Sequence, residues 1–468
     1  TPTGTTAAPQ TATTTTTYDA DMLFPTQTCN ALSHCASATW NKVLGVRLTE
    51  TDANDKLTTH LYDAFGRLTR TTLPNGGVME RSYVALGSPT TQYAEARVVD
   101  GTADGLWTRA YFDGFGRTYL RTRKGLTAGT SARKEILYAP DEPSRVWKES
   151  AWFTPGATPA EAAKFEEMIY DGMGRVVRTN HADGSYNTAL YQVGKVTTTD
   201  ELGKQRTNES DGWGRLSKVR EKNGAATYTT TYAYDTLARL TSVTDHRGNV
   251  SSATFDSLGR MLQDCDPDRG CRSLSYNRAG SVLARQDAMS QVVSVTYDLL
   301  ERPLTKTGGY SWTYDEAGHG DAKGKLTTKL YPDGADSLNY DYAGRITTQK
   351  MCRDASCKAQ VATSCSAPYC YVVAQTFDTI GAGRRASVVY PDETVTYGYD
   401  AIGQVNSVPG YLTSAAYDAR GSVKTKAFAN GVSEANTFST ANFRLTNTTV
   451  TKGTTLYSGS YQYELNGW

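Results

Sequence analysis

The feature that most constrains this chain is a two-part beat of acidic turns. From Tyr234 onward the residues Asp235, Asp245, Asp256, Asp266, Asn277, Asp287 and Asp298 follow one another at alternating steps of 10 and 11. The unit is therefore 21 residues long and holds two turns. Its first turn reads aromatic–Asp-x-x-Gly-Arg, as in FDSLGR from Phe255, with the variants YDTLAR from Tyr234 and YNRAGS from Tyr276. Its second turn is Asp-x-x-Gly, as in DHRGN and DPDRG. In both, Asp or Asn can accept hydrogen bonds from the turn backbone, and Gly can take positive φ. Short β-prone stretches such as TSVT, TYAY and VVSVTY lie between them. Strands of about six residues fit that spacing and helices do not. The pattern predicts an all-β fold, an antiparallel sheet built hairpin after hairpin.

The motif recurs at looser spacing along the chain. Copies stand at Tyr62, Asp63, Gly66 and Arg67; at Phe112; and at Tyr170, Asp171, Gly174 and Arg175. Others stand at Tyr314, at Tyr340, Asp341, Gly344 and Arg345, and at Tyr399 and Tyr417. In the regular run the same roles fall to Tyr234 and Asp235, and to Phe255, Asp256, Gly259 and Arg260. A second hairpin mark, Asn-Gly or Asp-Gly, follows several copies near Leu73, His181, Tyr331 and Ala429. The motif Arg is expected to pair with an Asp of a neighbouring repeat, and such an exposed pair stabilises little. Tyr234, Phe255, Tyr276 and Tyr297 are expected to stack in a row on one face. One helix cue, the capping box Thr158-Pro159-Ala160-Glu161, is given one or two turns at most.

The repeated YDxxGR with intervening turn motifs resembles the Rhs/YD-repeat family. That family takes in bacterial Rhs and wall-associated proteins, the cocoon-forming subunits of insecticidal toxin complexes, and the teneurin shell. The stretch DGTADGLWTRAYFDGFGRTY, Asp100 to Tyr119, is similar to the toxin-complex and Rhs branch. The resemblance runs from Tyr18 to Trp468 and implies a long β-sheet spiralling into a hollow shell, commonly around a cargo polypeptide. Many bacterial members close the shell with a self-cleaving segment containing Asp-Pro-x-Gly-Leu. This sequence has no match to it, so autoproteolysis is not carried over.

Tyr outnumbers Phe by 30 to 11 while hydrophobic residues make up only 38%. That suits sheets whose faces meet water, because a tyrosine ring packs while its hydroxyl stays solvated. A net charge of +1 leaves no footprint for nucleic acid or an anionic membrane. No apolar run is long enough to span a bilayer. Residues 1–17, rich in Thr, Pro and Ala, read as a linker or extended arm, and residues 18–468 as a YD-repeat shell segment incomplete at its C-terminus. The opening and the closing YQYELNGW together suggest a piece of a longer precursor. Thr11 to Thr17 is expected to lie extended against protein, either on an edge of its own sheet or on that of another copy.

All eight cysteines fall in close pairs: Cys29 with Cys35, Cys265 with Cys271, Cys352 with Cys357, and Cys365 with Cys370. Across a two-residue hairpin loop positions i and i+5 face each other; across a three-residue loop i and i+6 do, close enough for a disulfide. Four hairpin staples rank first. A nested pairing of 352 with 370 and 357 with 365 ranks second, and a four-thiolate zinc site third. Disulfides at this density imply export to an oxidising compartment, with the protein secreted or on the cell surface.

His34, His60, His181, His246 and His319 show no ligand spacing, and no GxSxG elbow or Walker loop is present. Gly381-Ala382-Gly383-Arg384-Arg385-Ala386 mimics a dinucleotide fingerprint inside a repeat motif and is set aside. Periodic Asp residues read as turn formers rather than as glycosidase carboxylates. Asp266-Pro267-Asp268 lacks the further oxygen ligands of a calcium loop. No catalytic residue, cofactor or metal ligand is assigned. The sequence reads as a non-enzymatic, extracellular bacterial scaffold enclosing a polypeptide or the remainder of its precursor. An adhesive or filament-forming protein assembling head-to-tail by strand addition is the alternative, and a carbohydrate-active enzyme comes last.

Overall fold

The computed structural model describes residues 11–99, 105–126, 129–156, 163–361, 365, 369–379 and 383–464. Thr158 to Glu161, where the helix cue was placed, lies outside them. Among the described residues regular structure is strand throughout, except for the 3-10 turn Lys358–Gln360. The chain divides into two compact units. The first comprises Thr1–Arg81, Arg97–Gly105 and Leu274–Thr396; the second Ser82–Ala96, Leu106–Ser273 and Tyr397–Trp468.

Within each unit, strands adjacent in sequence pair antiparallel. In the second unit Ala226–Tyr234 pairs with Leu240–Thr244, which pairs with Val250–Phe255, which pairs with Met261–Asp266. The all-β antiparallel sheet expected from the 21-residue beat is the observed fold. Burial alternates along such strands: Val250–Phe255 runs exposed and half-buried by turns, as period-2 side chains must when one face meets water. The most enclosed strand is Gly334–Tyr340 in the first unit. It contributes Ala335 to a cluster with Cys352, Val361 and Cys370, and Leu338 and Tyr340 to a second with Ala322.

Both turns of the repeat close in the same way. The Asp235 N–H donates to the Arg239 carbonyl (3.0 Å) and the Ala238 N–H to the Asp235 carbonyl (3.1 Å), leaving a three-residue loop. The second turn repeats this with Asp245, Gly248 and Asn249. The last loop residue is left-handed, with φ +83° at Gly259 and +62° at Ala238. A type I turn followed by such a residue is a favoured three-residue hairpin. Asn75-Gly76 and Asp183-Gly184 sit at the end of the same kind of loop. The ladder slips by one residue at the motif aromatic, between Ala233 and Tyr234 and between Thr254 and Phe255. Such a bulge bends the strand and re-aims the side chain.

Strand Thr15–Tyr18 pairs with Pro25–Cys29, opposing Thr15 to Cys29. Thr15 to Thr17 therefore lies on an edge of the chain's own sheet, and the boundary drawn at residue 17 falls inside this strand. Thr11 to Thr14 is exposed and irregular.

Candidate functional site

The motif residues form a repeated lock. In the turn, one carboxylate oxygen of Asp63 accepts the N–H groups of Phe65 (2.9 Å) and Arg67 (3.0 Å), and the other accepts Arg67 Nε (2.6 Å). Asp171 with Arg175, Asp235 with Arg239, Asp256 with Arg260 and Asp341 with Arg345 repeat the ion pair at 2.6–2.8 Å between Nε and Oδ2. Positions i and i+4 flank the three-residue loop, so the nearest carboxylate is the arginine's own. This corrects the expectation of a partner in the next repeat. Arg302 does both, holding Asp298 through Nε (2.7 Å) and Asp315 through Nη2 (2.7 Å).

Fixed at Nε, the guanidinium plane reaches the aromatic of the next hairpin. Arg215 lies 4.8 Å from the Tyr234 centroid, Arg239 5.1 Å from Phe255, Arg302 4.3 Å from Tyr314 and Arg345 4.0 Å from Phe377. The row expected of Tyr234 and Phe255 is thus built of arginine on ring rather than ring on ring. Tyr276 and Tyr297 are half-buried at the equivalent strand ends.

The tyrosine hydroxyl finds a protein partner, where the composition suggested water. Tyr62 donates to the Arg47 carbonyl (2.8 Å), Tyr170 to Val146 (2.6 Å), Tyr234 to Leu216 (2.8 Å) and Tyr340 to Leu326 (2.6 Å). At Tyr170, Tyr234 and Tyr340 the acceptor is the residue just after the preceding motif's Arg or Lys. The hairpins of Tyr170, Tyr234 and Tyr340 are therefore tied backward by a hydroxyl and forward by a guanidinium. Sequence reasoning placed both side chains and missed both partners.

Asp171 is held below the usual carboxylate range by the Arg175 side chain and then by the Arg175 N–H, outweighing burial. Asp235 is lowered by the Arg239 N–H first, again against burial, with the Arg239 side chain adding to it. Carboxylates fixed in this way are poor proton donors at neutral pH.

Cys29 is bonded to Cys35 and Cys265 to Cys271, and each pair is directly opposed across a three-residue loop. Beside the second, Asp264 is paired with both Arg269 and Arg272. Cys352 is bonded to Cys357 and Cys365 to Cys370, with Cα separations of 5.8 and 5.2 Å. Here the hairpin expectation needs correcting. The residue facing Cys352 across the ladder is Cys370, and Cys357 lies in the long connection between their strands. The four sulfurs are taken up in two disulfides, neither nested nor free to ligate zinc. Among the described residues no group of His, Cys, Asp and Glu is arranged to hold a metal ion. Asp266 spends one carboxylate oxygen on the Asp268 N–H of its own turn, as the turn reading of that segment requires.

The second unit holds a polar cleft of about 390 Å³ that the sequence did not announce. In it His181 sits between two glutamates, Nδ1 3.3 Å from Glu166 and Nε2 2.8 Å from Glu201. Asp183 accepts from Asn442 at 2.9 Å, and Phe443 and Arg444 close one side. Burial raises Asp183, but the Ser185 hydroxyl and the Asn442 amide outweigh it and leave the carboxyl lowered. The two glutamates share one imidazole and the Ser185 hydroxyl donates to Asp183, so the cleft presents joined turns rather than a nucleophile with its base. His319 is buried against the Leu338 carbonyl (2.8 Å), His246 packs on Tyr228 and His60 meets Thr71.

Residues 44–78 match the family model described as RHS Repeat. The Toxin protein Tse5 of Pseudomonas aeruginosa is 24% identical to this chain over 196 residues. The chain carries an RHS repeat. The alignment with Tse5 covers 42% of the chain and 13% of Tse5. The YD-repeat chain is also similar in fold to the crystal structure of TcdB2-TccC3, with a TM-score of 0.82 over 96% of its length at 15% identity. The Photorhabdus luminescens Tc holotoxin pore gives 0.81 over 97% at 14% identity. The chain spans about 28–30% of those two structures' chains. Among the described residues no helix is long and apolar enough to cross a membrane.

Proposed function

We propose that this chain is a wall segment of an Rhs shell that encloses a toxin polypeptide, with a scaffolding role and no chemistry of its own. The observation that carries the proposal is the lock: an Asp–Arg pair, a tyrosine hydroxyl and a cation–π contact, repeated at the motifs of Tyr170, Tyr234 and Tyr340, spent on holding hairpins in register. The fold likeness to TcdB2-TccC3 over 96% of the chain supports it. Four disulfides support export to an oxidising compartment, on the cell surface or beyond it. The test is limited proteolysis of the protein expressed with its natural flanking segments. An enclosed polypeptide stays intact while the wall is intact and is digested once denaturant opens it. Immediate digestion of every flanking segment overturns the reading.

Strand addition is the second reading, favoured by the exposed strand Thr454–Ser460. Among the described residues it pairs on one side only, with Leu445–Lys452. Blocking that edge with a proline at Leu456 abolishes assembly on this reading, and unchanged assembly refutes it.

A further inference from the structure

Turns alternate between two rims of the paired strands, YD turns on one and second turns on the other. In the second unit the two rims differ in chemistry. The YD rim carries Phe115, Met173, Val193, Trp213, Leu237 and Leu258, each 65–105% exposed. At the same tip position the second-turn rim presents Asp183, Leu202 and Arg247, of which Leu202 is only 37% exposed. A row of large apolar side chains at the tips of polar hairpins marks a contact surface.

The chain itself shows what such a rim contacts. Where both partners lie in one unit, later turns of the YD rim rest on earlier second turns. Asn442 donates to Asp183, 259 residues earlier. Arg123, at the end of the strand leading into a second turn, donates to the Ala419 carbonyl (2.5 Å), 296 residues on. In the first unit Asn54 accepts the Lys323 N–H (2.8 Å), Asn75 donates to the Thr379 carbonyl (3.3 Å), and His34 lies 3.7 Å from Asp315. A YD turn seated this way is enclosed: Asp418 is 3% and Ala419 8% exposed.

We propose that the YD rim of the second unit docks the second-turn rim of another copy of this chain. One chain displays both rims, and turns of the two already meet within it, there through small and polar residues such as Ala419 and Asn442. The turn Asp245–Asn249 offers exposed His246 and Arg247, and an arginine or protonated histidine over the open face of Trp213 is a favourable cation–π contact. The two halves are different surfaces, so the contact is heterologous and extends head-to-tail instead of closing a dimer. It joins turn to turn and needs no strand edge, which separates it from strand addition.

Sedimentation velocity on the full chain, from roughly 1 to 100 µM, tests it. The wild type is expected to gain mass with concentration, and the double variant Trp213→Asp/Leu258→Asp to associate at least about tenfold more weakly. Deleting residues 1–17 is expected to leave association in place. Circular dichroism confirms that the variant folds; should it not, Met173→Gln/Val193→Gln replaces it, with the same expectation. A wild type that stays monomeric throughout overturns the proposal. So does association undiminished by the tip substitutions, or association lost on deleting residues 1–17 alone.

Discussion

The Tyr234 hydroxyl donates to the Leu216 carbonyl at 2.8 Å, joining a strand end to the start of the strand that follows the preceding motif turn. Replacing Tyr234 with Phe keeps the ring under Arg215 and removes only this bond. The expected cost is about 1 kcal/mol, the net worth of one part-buried hydrogen bond. In a sheet whose hairpins touch mainly their neighbours the loss stays local. Hydrogen exchange is expected to quicken in Leu216–Asn223 and Ala226–Tyr234, and to stay unchanged in Lys195–Thr199.

The motif aspartates give the protein an acid limit. Asp171 and Asp211 are lowered, each by its turn arginine's side chain first, then by that arginine's N–H and the N–H two residues on, with burial opposing. A carboxyl whose folded value lies below its unfolded value of about 3.9 contributes stability above that value. The contribution is lost as pH falls through the folded value. Stability is therefore expected to be level from about pH 5 to 8 and to fall below about pH 4. Chemical denaturation across that range checks this; a fall beginning near neutrality refutes it.

Position five of the motif tests backbone handedness directly. Gly259 and Ala238 occupy the same left-handed site, with φ +83° and +62°, and a Cβ at Gly259 meets nothing within 4 Å. Gly259→Ala is expected to cost about 1 kcal/mol from conformation alone, and Ala238→Gly to regain a similar amount. Equal stability of all three proteins contradicts the turn assignment.

Cys265 and Cys271 close a small loop, and losing such a crosslink costs about 2 kcal/mol in the chain-entropy account. The double variant Cys265→Ser/Cys271→Ser is expected to keep the fold and to loosen its own hairpin, read as faster exchange in Met261–Asp266. Thiol labelling of the unfolded, unreduced wild type is expected to find almost no free cysteine. Zinc release with four reactive thiols contradicts the bridges Cys352–Cys357 and Cys365–Cys370.

What the sequence disclosed was local, and what it withheld was distant. Asp235 and Gly259 declare their turns because a three-residue loop needs an acceptor at its start and a left-handed residue at its end. The partner of Arg239 was misjudged by reasoning from repeat to repeat, when the loop length already set Asp235 opposite it. Spacing sets Cys352 opposite Cys357 first and Cys370 only second, because a long connection separates the two residues that the ladder aligns. The meeting of Asn442 with Asp183 leaves no trace in either turn, since each reads as an ordinary hairpin. The His181 cleft follows from that meeting and was hidden with it.

The turn-on-turn contacts set a rule of inheritance for the chain. Asn54 meets Lys323 across 269 residues and Asn75 meets Thr379 across 304. Inserting one 21-residue unit between such partners would slide every later turn past its present neighbour by one hairpin pair. A half-unit would bring YD turns against YD turns and leave Asn54 and Asn75 without their backbone partners at Lys323 and Thr379. Gene duplication can therefore lengthen this chain in whole units beyond the last contact, while the stretch between two contacting turns is fixed in count.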